Sequence, residues 1–338
     1  MQKPGASEDL TKAAQLFQSG EREAALEIVE NIISSDAGNA AAWQTLGLLM
    51  LRSGRANDGI KALRRACTLA PFEPGNYTDL GLAYLEIADY PRAEACLISA
   101  QSLGPADANV EKMLAHARHM AGTGNAATGA LAKSVDGDAE AHYAKALEFQ
   151  RLNSVDGVIE NLRKVARLLP AFAAAHKSLA DFLWHSHGLR ALTGAFGALL
   201  ELKGEDAGIA DQAGEAELHY RMALYHDPDL SEANAYFGNL LRRNGKLSEA
   251  RECYRQAAEM RPANAVTQAN FASLLLALGE LDEAGKYADL ALKLEPGFAE
   301  ARELQGHILL AQGDGPAAAR KYLDTFRFDP KVSSELFT

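Results

Sequence analysis

Cysteine, tryptophan and long apolar runs are all scarce in this chain. Its 338 residues hold three cysteines and two tryptophans, and aromatics make up only 7%. Cys67, Cys96 and Cys253 stand far apart with no C-x-x-C pair, which argues against a disulfide framework or a zinc ribbon. They read as buried free thiols, and their odd number points to a reducing compartment and a cytoplasmic location. No window approaches the 18 or so uninterrupted apolar residues of a membrane span. The start, Met1 to Ser7, is short and polar with no apolar core behind it, so no secretory leader is expected. Positive charge is in deficit: 34 Lys and Arg face 45 Asp and Glu, a net charge of −11. Nucleic acid and anionic membrane surfaces are therefore unfavoured partners.

The motifs of common chemistries are missing too. His185 and His187 are two residues apart and point away from each other on a helix. His116 and His119 are three apart and share a face, but no carboxylate or cysteine completes a metal set there. The glycines at 194, 197, 204, 208 and 214 include no G-x-x-x-x-G-K-[ST], and there is neither a G-x-S-x-G nor a cysteine with a base partner. Acidic groups such as Glu280, Asp282 and Glu283 fall where solvated turns belong. No cofactor, metal or catalytic residue is expected.

What is present is alanine-rich helix former in a 48% hydrophobic composition, repeated in phase. Trp43, Leu46, Gly47, Met50, Gly54, Leu63, Ala66 and Pro71 form a pattern that returns 34 residues later as Tyr77, Leu80, Gly81, Tyr84, Ala93, Leu97, Ala100 and Pro105. Phe237, Gly238, Leu241, Gly245, Ala250, Tyr254, Ala257 and Pro262 repeat it. Phe271, Ala272, Leu275, Gly279, Ala284, Ala288, Ala291 and Pro296 follow after the same step. The apolar spacing is that of helix faces. Gly47 and Gly81 let a partner helix approach, Gly54, Gly245, Gly279 and Gly313 end helices in a left-handed residue, and the prolines stop the second helix.

This pattern resembles the tetratricopeptide repeat, a helical hairpin of 34 residues. The resemblance implies an all-α fold, a right-handed α-α superhelix (solenoid) of about nine hairpins. Three units occupy 6–107 (6–39, 40–73 and 74–107), one 139–172 and three 231–332 (231–264, 265–298 and 299–332). Residues 108–138 read as a degenerate unit or hinge whose second helix, about 126–134, is short. The unit at 173–230 carries an insertion at about 189–214, read either as a helix-plus-loop excursion or as a ligand-contacting flap. Residues 1–5 read as a disordered start and 333–338 as a tail.

In the family, first helices line a concave groove. Mapped onto this chain, its first half offers Gln44, Leu48, Leu51, Arg52, Thr78, Leu82, Leu85 and Glu86. The leucines form an exposed apolar strip in this reading, one not needed for hairpin packing. The groove then turns polar through Tyr143, Gln150, Arg151, Lys177, Asp181, Trp184 and His185, followed by Asn239, Arg242, Arg243, Asn270, Ser273 and His307. An aromatic anchor beside amide and guanidinium donors suits peptide recognition. One of Arg242 and Arg243 shares a face with Asn239, and the pair reads equally well as a solvated helix end that complements the helix dipole.

The family's carboxylate clamp for peptide C-termini is not reproduced. Asn239 and Asn270 match its asparagines, but Ala235, Glu300 and Leu304 stand where cations belong. The asparagine ladder of glycosyltransferase-linked arrays is also incomplete, with Thr45, Asp79, Ser178 and Tyr236 at its positions. The expected function is a non-catalytic adaptor that binds a protein or peptide segment. Two alternatives remain: the substrate-recruiting part of a glycosyltransferase- or sulfotransferase-type enzyme, or a homodimerising scaffold. Both draw on Phe326, Phe328 and Phe337, which the few residues after Pro330 do not cap.

Overall fold

The computed structural model describes residues 6–105, 107–122, 138–198 and 206–328. Among them every regular element is a helix, 17 in all. They are α1 (Ala6–Ser19), α2 (Arg22–Ser35), α3 (Ala40–Arg52), α4 (Ala56–Leu69), α5 (Pro74–Glu86), α6 (Tyr90–Leu103), α7 (Ala108–Met120), α8 (Ala139–Arg151), α9 (Val155–Leu168), α10 (Ala173–Ala198), α11 (Asp206–His226), α12 (Ser231–Arg243), α13 (Leu247–Met260), α14 (Ala265–Ala277), α15 (Leu281–Leu294), α16 (Ala299–Ala311) and α17 (Gly315–Phe328). First helices of 13 residues alternate with second helices of 14 through α3–α6 and again through α12–α17. Among the described residues α1–α2, α3–α4, α5–α6, α8–α9, α12–α13, α14–α15 and α16–α17 pack as hairpins, and successive hairpins pack through α2 on α3, α4 on α5, α13 on α14 and α15 on α16, the arrangement of a helical solenoid.

Two residue choices make the hairpin. Where the helices cross, the first helix needs a residue without a side chain. A Cβ on Gly47 would lie 2.5 Å from Leu63 Cγ and 3.0 Å from the Gly59 carbonyl. Gly81 faces Leu97, Gly238 faces Tyr254 and Gly306 faces Tyr322 in the same way. After the first helix the chain turns through a left-handed residue, glycine at 20, 54, 122, 245, 279 and 313, but Ala88 (φ 57°) and Asn153 (φ 54°) in two units.

A third device joins one hairpin to the next. The fourth residue of several first helices sends a side-chain donor to the carbonyl six residues earlier. Trp43 Nε1 donates to Ala37 O at 3.0 Å, Gln268 Nε2 to Pro262 O at 3.2 Å and Asn234 Nδ2 to Pro228 O at 3.5 Å. His176 Nε2 lies 3.1 Å from Pro170 O, and Arg302 donates to Pro296 O. The accepting carbonyl belongs to the turn two residues beyond the preceding second helix, where no helical hydrogen bond is available to it, and this donor satisfies it.

The chain clusters into two units: Met1–Gln212 with Tyr225–Asp227, and Ala213–Leu224 with Pro228–Thr338. In the first, a core of Leu63, Tyr77, Leu80, Tyr84, Cys96, Leu97 and Leu114 runs through α4–α7. Phe72, Tyr143 and Phe172 form an aromatic trio with centroids 5.6 to 6.1 Å apart, where α8 and α9 meet the turn after α4. The last turn of α11 also belongs here. Arg92 lies 4.3 Å over the Tyr225 ring and donates to Tyr225 O at 2.8 Å, while His226 stacks on His176.

The excess residues of the 173–230 unit are largely helical: α10 continues through Ala198, and α11 begins at Asp206. The second helix expected at 126–134, the start at 1–5 and the tail at 333–338 lie outside the described residues, as do the side chains of Phe326, Phe328 and Phe337. Cys67 and Cys96 are buried and Cys253 half-buried, all as free thiols in second helices.

Candidate partner-binding faces

In the first unit the inner rows of α3 and α5 are joined by a hydrogen bond from Gln44 Nε2 to Asp79 Oδ2 at 2.7 Å. Burial raises the Asp79 pKa above the ordinary carboxylate value, and the Gln44 bond and the Arg52 charge oppose that rise. The leucine strip is narrower than expected. Leu82 is 40% exposed, but Leu51 is only 8% exposed and fills the space over Gly59, so it serves the hairpin. Leu48 and Leu85 are half-buried and pack on the same core. The correction has a simple cause: Gly59 leaves a hollow on α4, and the side chain at 51 is the one that reaches it.

Tyr143 is likewise engaged within the fold, in the aromatic trio with Phe72 and Phe172. Lys177 pairs with Asp181 one turn along α10 at 2.9 Å, both half-buried. His185 is exposed and its Nδ1 donates to Asp181 O at 2.6 Å, while Trp184 beside it is half-buried. These residues belong to the first unit.

The second unit holds Asn239, Arg242, Arg243, Asn270 and His307. Tyr254 of α13, fully buried beneath Gly238, raises its hydroxyl to Asn239 Oδ1. Burial pushes the Tyr254 pKa up to about 12, and the Arg242 guanidinium beside it opposes the shift by its charge and a hydrogen bond. Arg242 therefore is the arginine that shares the Asn239 face. Its Nη1 reaches Ser273 Oγ of α14 at 3.4 Å, joining the inner rows of α12 and α14. Arg243 is exposed in the last turn of α12, and Asn270 is half-buried. His307 packs on Tyr322 with ring centroids 5.6 Å apart.

Two features of these faces were not foreseen from sequence: the Gln44–Asp79 bond and the hydroxyl floor under Asn239. The sign of the second was a tyrosine at 254 where the earlier units carry Leu63 and Leu97. Among the described residues no group of three or more His, Cys, Asp or Glu is placed to hold a metal ion, and no helix is long and apolar enough to cross a membrane.

Two family models described as tetratricopeptide repeat match the chain, over residues 10–74 and 241–308. No curated protein matches it. Among solved structures, MamA 41-end from Desulfovibrio magneticus RS-1 is 14% identical with a TM-score of 0.47, over 59% of this chain and 98% of that one. A structure of Pseudomonas aeruginosa pilF is 18% identical with a TM-score of 0.44, over 80% and 94% respectively.

Proposed function

The chain is a tetratricopeptide repeat protein, and from that premise we propose that it captures an extended protein or peptide segment along the inner faces of its first helices. Such a repeat array is a protein-interaction scaffold in its general role. The observation that carries the finer reading is the joining of inner rows across hairpin boundaries, Gln44 to Asp79 in one unit and Arg242 to Ser273 in the other. Each row is thereby a continuous surface with both apolar and hydrogen-bonding stations. The net charge of −11 favours a protein partner over nucleic acid or an anionic membrane. No catalytic role is assigned to any residue, and no cofactor is invoked.

Leu82 is the test position, because its exposure lets it change without disturbing the core. Leu48 and Leu85 are less suitable, since charging them would damage packing as well. Leu82→Glu and Arg242→Gln should each reduce capture of the native partner in affinity purification while leaving the helical circular dichroism spectrum unchanged. Undiminished capture by both variants would overturn the inner-face reading. A second reading, self-association through the C-terminal end, draws on Leu310 and Leu323 of the last described hairpin, which are 57% and 61% exposed. Sedimentation over a range of concentrations separates the two.

A further inference from the structure

The inner face of the second unit has a hydrogen-bond polarity that its residue names do not reveal. A guanidinium carries five N–H donors and no acceptor. Arg242 donates to Ser273 Oγ at 3.4 Å, and its positive charge stands beside the Tyr254 hydroxyl, so both oxygens turn lone pairs toward it. The Tyr254 hydrogen is thereby directed to Asn239 Oδ1. With its carbonyl oxygen engaged from below, Asn239 offers its NH2 to the face. Ser273, accepting from Arg242, has its own hydrogen left to give. Every group in this chain of bonds therefore turns a donor outward.

The arrangement is held from beneath. Tyr254 is fully buried, and the absence of a side chain at Gly238 lets its ring sit there, since a Cβ would come within 3.1 Å of it. Asn270 precedes Ser273 by one turn on α14, as Asn239 precedes Arg242 on α12, so a second amide stands on the same row. Arg242 forms no ion pair among the described residues. The one acidic residue on α12 and α14, Glu232, pairs with Arg261 at 3.0 Å.

We propose that Arg242, Asn239 and Ser273 form a carboxylate station that receives an Asp or Glu side chain from an acidic segment of the partner. This rests on the inner-face reading and sharpens it. An ionised carboxylate is acceptor-only, so it matches a face that presents only donors. A glutamine in its place offers a single, uncharged acceptor oxygen and turns its NH2 toward the remaining donors. One unpaired guanidinium balances one carboxylate, whereas a phosphate of nearly twice the charge meets a chain already at −11. A peptide C-terminus is disfavoured by Glu300 and Leu304, which stand where a terminal clamp needs cations.

The test uses the full chain and four pools of short synthetic peptides with randomised neutral positions. They carry, at one fixed position, Glu, Gln or phosphoserine with an amidated C-terminus, or Gln with a free C-terminus. Fluorescence anisotropy should show the Glu pool bound about tenfold or more tightly than the amidated Gln pool, the worth of a charged hydrogen bond. Arg242→Gln and Asn239→Asp should each abolish that preference with an unchanged thermal midpoint, since neither group is in the apolar core. Equal retention of the Glu and Gln pools overturns the carboxylate station but leaves the inner-face reading standing. So does a preference for phosphoserine or for the free C-terminus, or a Glu preference that survives Arg242→Gln. If no pool binds, the station is also overturned; should Leu82→Glu and Arg242→Gln then still capture the native partner, the inner-face reading falls with it.

Discussion

Ala88 holds a backbone conformation (φ 57°) that six glycines adopt in the corresponding turns. For a residue with a Cβ this region costs roughly 1 kcal/mol or more. Ala88→Gly should therefore stabilise the protein by about 1 kcal/mol less the added freedom of the unfolded chain, seen as a higher urea midpoint. The opposite substitution has the opposite sign at the helix crossing. Gly47→Ala drives a methyl into Leu63 and toward the Gly59 carbonyl, and should destabilise by about 1–3 kcal/mol. His226 adds a pH dependence. Burial, helped by the Arg92 charge, lowers its pKa from 6.5 to about 4, and its Nε2 has no hydrogen-bond partner among the described residues. The folded state thus binds the proton less readily than the unfolded chain. Its contribution to stability is complete above pH 6.5 and drains away as pH falls toward 4, by up to about 3 kcal/mol. A His226→Leu variant should show a flatter fall in thermal midpoint over that interval; an identical slope in both proteins would contradict this.

Between hairpins the telling residues are those at the fourth position of first helices. Trp43 reads from sequence as an apolar packing residue. Its companions at that position are His176, Asn234, Gln268 and Arg302, which no apolar pattern unites. Their common property is a side-chain N–H that reaches the carbonyl six residues back. Gln268→Met keeps the shape and removes the donor to Pro262 O and Ala258 O, so it should cost about 1 kcal/mol, measured by chemical denaturation.

This contrast explains what was legible in the sequence. Helix length, turn position and the close crossings at Gly47, Gly81 and Gly238 follow from side-chain size, which a one-dimensional pattern records directly. The fate of Leu51 did not, because burial there depends on Gly59 of the facing helix. The same holds for Tyr143, whose partners Phe72 and Phe172 come from turns that repeat periodicity does not position. Asn239 and Arg242 could be named as site residues, but the direction of their hydrogen bonds required knowing where the Tyr254 hydroxyl lies.

At the scale of the whole molecule the governing quantity is charge. With a net −11, the chain repels an acidic segment at distances where individual residues are not resolved, yet the Arg242 station attracts its carboxylate at contact. Salt acts on these two effects over different ranges. The screening length shrinks from about 30 Å at 0.01 M to about 8 Å at 0.15 M, so added salt removes the long-range repulsion first. Association of the Glu peptides should then accelerate with salt over this interval, the reverse of ordinary electrostatic steering, while dissociation also quickens as the contact pair is weakened. Stopped-flow anisotropy separates the two rates. An association rate that falls with salt would mean that the local field of α12 outweighs the charge of the whole chain. The partner would then be drawn in by the basic end of one helix, Arg242 and Arg243 together, and Arg243→Gln should slow its arrival as much as Arg242→Gln does.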